Sequence, residues 1–372
     1  MRRTPALIVG GGPAGASAAI LLARAGSPHL LVERSRETGD ALCGGFLSWR
    51  TLESLAALGI EADVLNPQRV SRLRLFAGRR QSETTLPRPA IGVSRLRLDT
   101  VLLAKAVAMG SAVERGVAVR SIDGRVANIE GGDLAADALL LASGKHDVRG
   151  LARPADARGD DPSLGLRVRL PASAALNALV GDAIELHLFD RGYAGLVLQE
   201  DGSANLCMAV HRSRLSEAGD PERLLLALAE ESPLLGERLS HGGSGSVDAV
   251  ANVPYGWRAA VTDAGVFRLG DQAAVIPSLA GEGMGIAIAS GIRAAQALLR
   301  GGAGQAESYQ RDLYRATARP VAVAGIVRHL AQSIAGPALV TVARMSSLTN
   351  LVARLTRINH SPVDVRLPPP DI

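Results

Sequence analysis

The sequence predicts an α/β fold, and three observations carry the prediction. Ala6 to Val9 is an apolar run of strand length that opens into Gly10-Gly11-Gly12-Pro13-Ala14-Gly15. A small-residue helix follows from about Ala14 to Ala25, stopped by Gly26, and a second apolar run, His29 to Val32, ends at Glu33. Near the far end of the chain, Val266 to Leu269 reads as a strand ending in Gly270-Asp271. Strand, glycine turn, helix, second strand and acid stand in the order of a dinucleotide cradle.

Each element of the first unit has a physical task. Gly10 permits the tight turn, Gly12 lets the backbone approach a pyrophosphate, and Gly15 allows the helix to pack close to the strand. Pro13 and Ala14 open the helix, whose unpaired N–H groups point at phosphates. Glu33 lies 18 residues after Gly15. An acid there can hydrogen-bond both ribose hydroxyls and repels a 2′-phosphate, which argues against NADP in this cradle. Thr4 to Ala23 is twenty residues without charge after two arginines. Its central glycines would break an apolar helix and it lacks a small-residue cleavage site, so strand, turn and helix are expected instead of a signal peptide or a membrane span.

Composition bounds the function. With 372 residues, 47% apolar and 21% charged, the chain is expected to form two domains or one large domain with insertions, and disordered and fibrous classes are excluded. Cys43 and Cys207 are the two cysteines; a disulfide scaffold, a CxxC pair and a Cys/His metal cluster are excluded, and no metal site is expected. A reducing cytoplasmic setting fits. Arginine outnumbers lysine 39 to 2, which reads as coding bias, and aromatics at 3% leave few platforms for stacking bases, so no nucleic-acid partner is expected.

Gly270-Asp271 is followed by Ala273-Ala274, Pro277 and Gly281-Glu282-Gly283-Met284-Gly285, which opens a helix from about Met284 to Leu299. Here the sequence resembles the FAD-dependent oxidoreductases of the glutathione-reductase-like superfamily, in particular the aromatic-hydroxylase and geranylgeranyl-reductase branch. The resemblance implies FAD as cofactor, Asp271 on the ribityl chain, and the backbone of Gly283 and Met284 beneath the flavin. A helix end aimed there stabilises the anion of a reduced flavin; a plain N-cap is the alternative for Asp271. Glu33-Arg34 followed by Ala41-Leu42-Cys43-Gly44-Gly45-Phe46-Leu47-Ser48 is similar to the reductase pattern in which a Cys-Gly-Gly segment lies along the flavin. Arg95, within Val93 to Asp99, matches an arginine that reaches FAD, and Ala138 to Ala142 with Ser143-Gly144 matches the last strand of the nucleotide half.

The implied architecture is a Rossmann-type FAD-binding domain of three layers, ββα, formed by residues 1–50, 93–160 and 260–318. An inserted β-rich substrate domain comprises 51–92 and 161–259, and a C-terminal helical segment comprises 319–372. Within the insertion, Leu164–Leu170, Ile184–Phe189, Ala194–Gln199 and Ala204–Val210 read as strands and Pro221–Glu230 as a helix.

The pattern also departs from the family. Ser143 stands where hydroxylases carry an aspartate associated with the pyridine nucleotide. After it, Lys145 can hold an anionic substrate or flavin phosphate and His146 beside Asp147 can donate a proton; a solvated turn with Arg149 pairing Asp147 is the other reading. Gly242-Gly243-Ser244-Gly245 lacks a preceding apolar strand and reads as a loop. One dinucleotide domain is therefore expected, with electrons from a transiently docked NAD(P)H or a protein donor. Trp49 and Trp257 are isolated, so the Trp-x-Trp motif of flavin halogenases is absent. Of the reductase Tyr-x-Trp-x-Phe-Pro signature only Tyr193 is retained, either as a packed sheet residue or at a substrate pocket. Cys207 is expected in a strand core, and Cys43 as a flavin-adjacent thiol or a small filler.

The formal charge of +5 is concentrated at the C-terminal end. Arg319, Arg328, Arg344, Arg354, Arg357 and Arg366 face one acid, Asp364. Val321 to Ala335 and Ala338 to Arg357 read as two helices separated by Gly336-Pro337, and Pro362 to Ile372 as an extended end. Val342, Met345, Leu348, Val352 and Leu355 share one helical face. That face either packs on the protein or covers a lipid-like substrate and touches an anionic membrane or an acidic carrier protein. The expected function is flavin-mediated hydroxylation or double-bond reduction of a hydrophobic polyketide, aromatic or prenyl compound, in the cytoplasm or peripherally at a membrane. An NAD-linked dehydrogenase and a non-catalytic flavoprotein redox partner are the alternatives.

Overall fold

The glycine turn is set at the carboxyl edge of a parallel sheet. The computed structural model describes residues 1–158, 161–242, 247–333 and 336–359. Among these, the first sheet runs in the order Ala112–Arg115, Leu30–Glu33, Arg2–Val9, Gly132–Leu141, all parallel. Val266–Arg268 pairs in parallel with the far end of Gly132–Leu141, while its beginning carries an antiparallel meander of Val126–Ile129 and Val119–Asp123. Side chains alternate across a strand, and the two sets go to different layers. Ala6, Ile8, Leu31, Ala138 and Leu140 pack with the helices; Leu7, Val9, Leu30, Val32, Leu139 and Leu141 pack with Ile122, Ala127 and Ile129 of the meander. Sheet, meander and helices make the three layers.

On the helical side, Pro13–Arg24 lies against Arg95–Ala108 and Gly283–Gly301. Close approach depends on missing side chains: a Cβ on Gly15 would collide with the Gly10 carbonyl, and one on Gly291 with the Ala14 carbonyl. The helix Trp49–Ala57 and the turn after it send Leu55, Leu58, Ile60 and Leu65 into this same core. Residues 51–65 thus pack with the nucleotide half, although the sequence grouped them with the insertion.

The second sheet, of eight strands among the described residues, runs Asp248–Val253, Ser163–Leu170, Ala204–His211, Gly192–Leu198, Ala183–Phe189, Val70–Ala77, Arg80–Gly92, Phe46–Leu47. It is antiparallel except where Ala183–Phe189 pairs with Val70–Ala77. One face buries Leu166, Val168, Ala194, Leu196 and Leu206 beneath Pro221–Glu231 and Pro233–Leu239. The other face turns toward the glycine cradle. Cys207 pairs with Gly195 and Arg167 on that second face, so it borders a cavity and not the strand core expected for it; it occupies an odd position in a strand whose even residues are the core.

The tail differs from expectation in its breaks. The helix expected to begin at Val321 is the last part of Ala306–Ala331, which runs through Pro320 because Leu313, Thr317, Pro320, Val321 and Ala324 are buried along one side. The helix expected over Ala338–Arg357 is two, Gly336–Val342 and Ser346–Leu355. The Ser346-Ser347 pair favours a helix start over a helix interior. Ala335, Gly243 to Gly245 and Pro362 to Ile372 lie outside the described residues.

Candidate active site

A single cavity of about 1480 Å³ joins the cradle to the second sheet and the tail. Fourteen of the fifteen residues expected to hold the cofactor line it: Gly10, Gly12, Pro13, Ala14, Glu33, Arg34, Cys43, Gly44, Arg95, Gly144, Gly270, Asp271, Gly283 and Met284. Gly15 lies behind the turn, in the helix packing. Lys145, His146 and Tyr193 line it as well.

At the cradle, Gly10 has φ +108°, a left-handed conformation that favours glycine, and a Cβ there would strike the Ala142 carbonyl. Glu33 braces the turn: Oε2 accepts from the Gly11 N–H at 2.7 Å and Oε1 from the Ser35 N–H at 2.9 Å. Arg95 reaches to the open side of Gly12 and is oriented by Asp99, at 2.9 and 2.6 Å. Two helices begin at this cavity, Pro13–Arg24 after Gly12 and Gly283–Gly301 after Glu282, and neither has a side-chain cap. Their first N–H groups form two donor sets facing the cavity.

Asp271 sits in the turn Gly270–Gln272 that ends the strand Val266–Arg268. It caps no long helix, since Gly283–Gly301 starts twelve residues later. Its carboxylate borders the cavity and accepts no hydrogen bond among the described residues. Ser290 Oγ fixes the turn by accepting from the Gly270 N–H at 2.8 Å, and Gln272 Nε2 ties it to the carbonyls of Gly144 and His146 at 2.8 and 3.0 Å.

The Lys145–Arg149 cluster lies at the other rim. Lys145 Nζ donates to the Leu42 carbonyl at 3.1 Å, and Arg34 Nη2 meets His146 Nε2 at 2.7 Å. Burial and the charges of Arg34, Arg153 and Lys145 lower the His146 pKa. At neutral pH the imidazole is therefore an acceptor for Arg34 and holds no acidic proton to donate, contrary to the role the sequence suggested. Asp147 pairs with Arg153, Nε to Oδ1 at 2.8 Å, and not with Arg149; the Arg149 carbonyl is taken by the Ile122 N–H.

Past Gly283 the cavity becomes apolar. Leu73, Leu75, Ile184, Leu186 and Leu188 of the second sheet line it together with Val323, Val327, Leu339 and Val352 of the tail, and Leu339 packs in one cluster with Leu75, Leu186 and Leu188. One polar chain interrupts it. Tyr193 Oη lies 2.6 Å from Ser278 Oγ and accepts from the Leu279 N–H at 3.0 Å, and Tyr255 Oη donates to Ser278 Oγ at 3.0 Å. Burial raises the pKa of both phenols, and the Arg328 guanidinium lies over the Tyr255 ring at 5.0 Å. Burial also pushes the Cys207 thiol up to about 12, so it is an inert, uncharged wall residue. Tyr255 and Ser278 carry no motif of their own in the sequence; the only hint is that Ser278 follows Pro277 just ahead of the glycine-rich helix start.

The tail is latched over the site. Arg357 Nη1 lies 2.7 Å from Glu282 Oε2 and 2.7 Å from the Ala280 carbonyl, and its guanidinium stacks 5.4 Å from the Trp49 ring. Glu282 is fully buried and also accepts from Ser48 Oγ at 3.1 Å and the Ile358 N–H at 3.2 Å. Burial, opposed by Arg357, raises its pKa.

These features fit a flavin dinucleotide. The glycine turn leaves room for a pyrophosphate, the carboxylates of Glu33 and Asp271 suit ribose and ribityl hydroxyls, and a second helix end faces the far part of the cavity. The volume exceeds the roughly 300–1,000 Å³ of a single small-molecule pocket, leaving space for a second ligand. Residues 3–131 match the FAD binding domain family. Digeranylgeranylglycerophospholipid reductase 2 of Methanopyrus kandleri is 27% identical over 314 residues, 77% of this chain and 74% of the relative. In fold, the chain is similar to a geranylgeranyl bacteriochlorophyll reductase-like protein from Thermoplasma acidophilum, with TM-score 0.72, 20% identity and coverage of 98% and 95%. It is also similar to PqsL, a probable FAD-dependent monooxygenase from Pseudomonas aeruginosa, with TM-score 0.71, 18% identity and coverage of 92% and 100%. The protein is an FAD-dependent oxidoreductase, similar in sequence to a digeranylgeranylglycerophospholipid reductase and in fold to a probable FAD-dependent monooxygenase.

Proposed function

We propose that the protein reduces a carbon–carbon double bond in a long apolar substrate of prenyl type. One observation carries this reading: the cavity lined by the dinucleotide cradle is the same cavity that Leu73, Leu75, Ile184, Leu186 and Leu188 line, its apolar branch. Bound FAD would supply the hydride. The chain's own residues do the rest. Gly10, Gly12, Glu33 and the first turns of the two helices would bind the dinucleotide, and Asp271 the ribityl hydroxyls. The aliphatic walls align the substrate and, closed by the latched tail, exclude water. Addition of hydride to one alkene carbon requires a proton at the other. The Tyr193–Ser278–Tyr255 chain holds a phenolic proton in the otherwise apolar branch, and the raised phenol pKa values keep it there.

The relative similar over three quarters of both chains is a reductase, which supports reduction over hydroxylation. The described residues contain one nucleotide cradle, so the reducing equivalents come from a docking donor, NAD(P)H or a redox protein. Anaerobic incubation of reduced, FAD-loaded protein with a geranylgeranyl compound tests the proposal. Product heavier by two hydrogens supports it. Product that forms only with oxygen assigns hydroxylation, and protein that is colourless and refuses FAD assigns an NAD-linked dehydrogenase. Flavin that is reduced and reoxidised without any product assigns a redox partner.

A further inference from the structure

We propose that the mouth of the apolar branch is a docking surface for an anionic lipid bilayer. The tail helices expose Ile326 (63%), Met345 (59%) and Leu351 (50%), together with Leu330, Val342 and Leu348. Ile326, Leu330, Val342 and Leu348 also line the cavity, so the exposed apolar patch and the channel wall are one surface. Monomeric proteins seldom leave contiguous apolar surface of this kind in water without a partner for it.

The charge around the patch names that partner. From Arg319 to Asn359 the chain has no Asp or Glu. Arg319, Arg344 and Arg354 are exposed there, and Arg319 precedes Val323, Ile326 and Leu330 on one helical stripe. Arg328 and Arg357 point inward, to Ser163 and Glu282. Exposed apolar tips in the same acid-free stretch as exposed arginines match a bilayer interface, where the tips enter the acyl boundary and the guanidinium groups meet anionic headgroups. A strongly acidic carrier surface offers Ile326, Met345 and Leu351 little apolar area, whereas a bilayer meets the arginines and the apolar tips together. No single helix among the described residues is long and apolar enough to cross a membrane, and the contact proposed is a surface contact. A lipid-dissolved chain would then reach the cavity from the bilayer.

Sedimentation of the full-length, FAD-loaded protein with vesicles tests this without turnover, so its failure leaves the reaction untouched. We expect binding to mixed phosphatidylglycerol and phosphatidylcholine vesicles and little to phosphatidylcholine alone. Each interfacial arginine is worth about 1 kcal/mol, so Arg344→Ala with Arg354→Ala lowers vesicle affinity about 30-fold. Met345→Glu with Leu351→Glu abolishes sedimentation; neither residue lines the cavity, and unchanged FAD content shows that the variant is folded. Four results would overturn the proposal: no vesicle binding, equal binding to neutral vesicles, unaffected variants, or a change in the variants from dimer to monomer. Binding that appears only after removal of residues 360–372 would overturn it too, by assigning the patch to the chain's own end. Retention by an acidic carrier protein without vesicle binding would assign the carrier instead.

Discussion

Replacing Arg357 by Ala isolates the contact that holds the tail to the flavin side. In the native protein its guanidinium, 8% exposed, pairs with the Glu282 carboxylate, 0% exposed. Removing one partner of a buried pair leaves the other charge without compensation, at a cost of about 3–5 kcal/mol. The remaining acceptor contacts, from Ser48 Oγ and the Ile358 N–H, do not supply a positive charge, and Ile358 is itself part of the tail. Arg357→Ala should therefore unfold at markedly lower urea, and FAD should bind more weakly, because Glu282 immediately precedes the helix Gly283–Gly301. Adding Glu282→Gln removes the stranded charge and should restore part of the loss. Urea titration of wild type, both single variants and the double variant, read by flavin and tryptophan fluorescence, closes the cycle. A single variant within about 0.5 kcal/mol of wild type, or a double variant no more stable than Arg357→Ala, would refute the latch.

Other outcomes follow from the same geometry. Asp271→Ala should weaken FAD about 10- to 150-fold, the equivalent of a charged hydrogen bond worth about 1.5–3 kcal/mol, measured by flavin release; unchanged affinity would remove it from the site. Tyr255→Phe and Tyr193→Phe should each slow reduction by about 100-fold with little change in FAD binding. Because burial raises both phenol pKa values, the donor keeps its proton at high pH, so the wild-type rate should stay flat through about pH 10, the ordinary value for tyrosine; a fall near pH 8 would point to another acid. Gly291→Ala should cost about 1–3 kcal/mol by forcing apart two packed helices, read as a lower melting temperature. Burial alone would raise the Glu185 pKa, but hydrogen bonds from His187 and Arg238 bring it to about 2. A depressed carboxylate stabilises the fold above its unfolded pKa, so about 3 kcal/mol should disappear as pH falls from 4.5 toward 2, and Glu185→Gln should lack that acid dependence.

The cradle of the nucleotide half was legible because its signals are local, while the edge strand Ala112–Arg115 and the meander Val119–Asp123 and Val126–Ile129 carry no motif and were not. Strand alternation, the glycine turn and Glu33 lie within one βαβ unit, and Val266 to Asp271 repeats a strand and turn. Four strands of the insertion were legible for the same reason, to within a residue or two, and Val70–Ala77, Arg80–Gly92 and Asp248–Val253 were not. Contacts between distant segments were not. Nothing near Tyr255 or Ser278 announces that they meet Tyr193, and Arg357 looked like one more charge in a basic tail until Glu282 was found beneath it. Cys207 was misplaced because alternation tells which residues share a face and not which face is the core. His146 beside Asp147 suggested a tuned acid, but the cations Arg34, Lys145 and Arg153 close around it only in three dimensions.

On the proposed function, one cavity brings FAD and an apolar alkene together for hydride transfer. Its most direct test is anaerobic single turnover, with reduced FAD-loaded protein mixed with a geranylgeranyl lipid and flavin absorbance followed. The flavin should reoxidise without oxygen, in step with product heavier by two hydrogens. Flavin that stays reduced until oxygen is admitted, with an oxygenated product appearing only then, would contradict it.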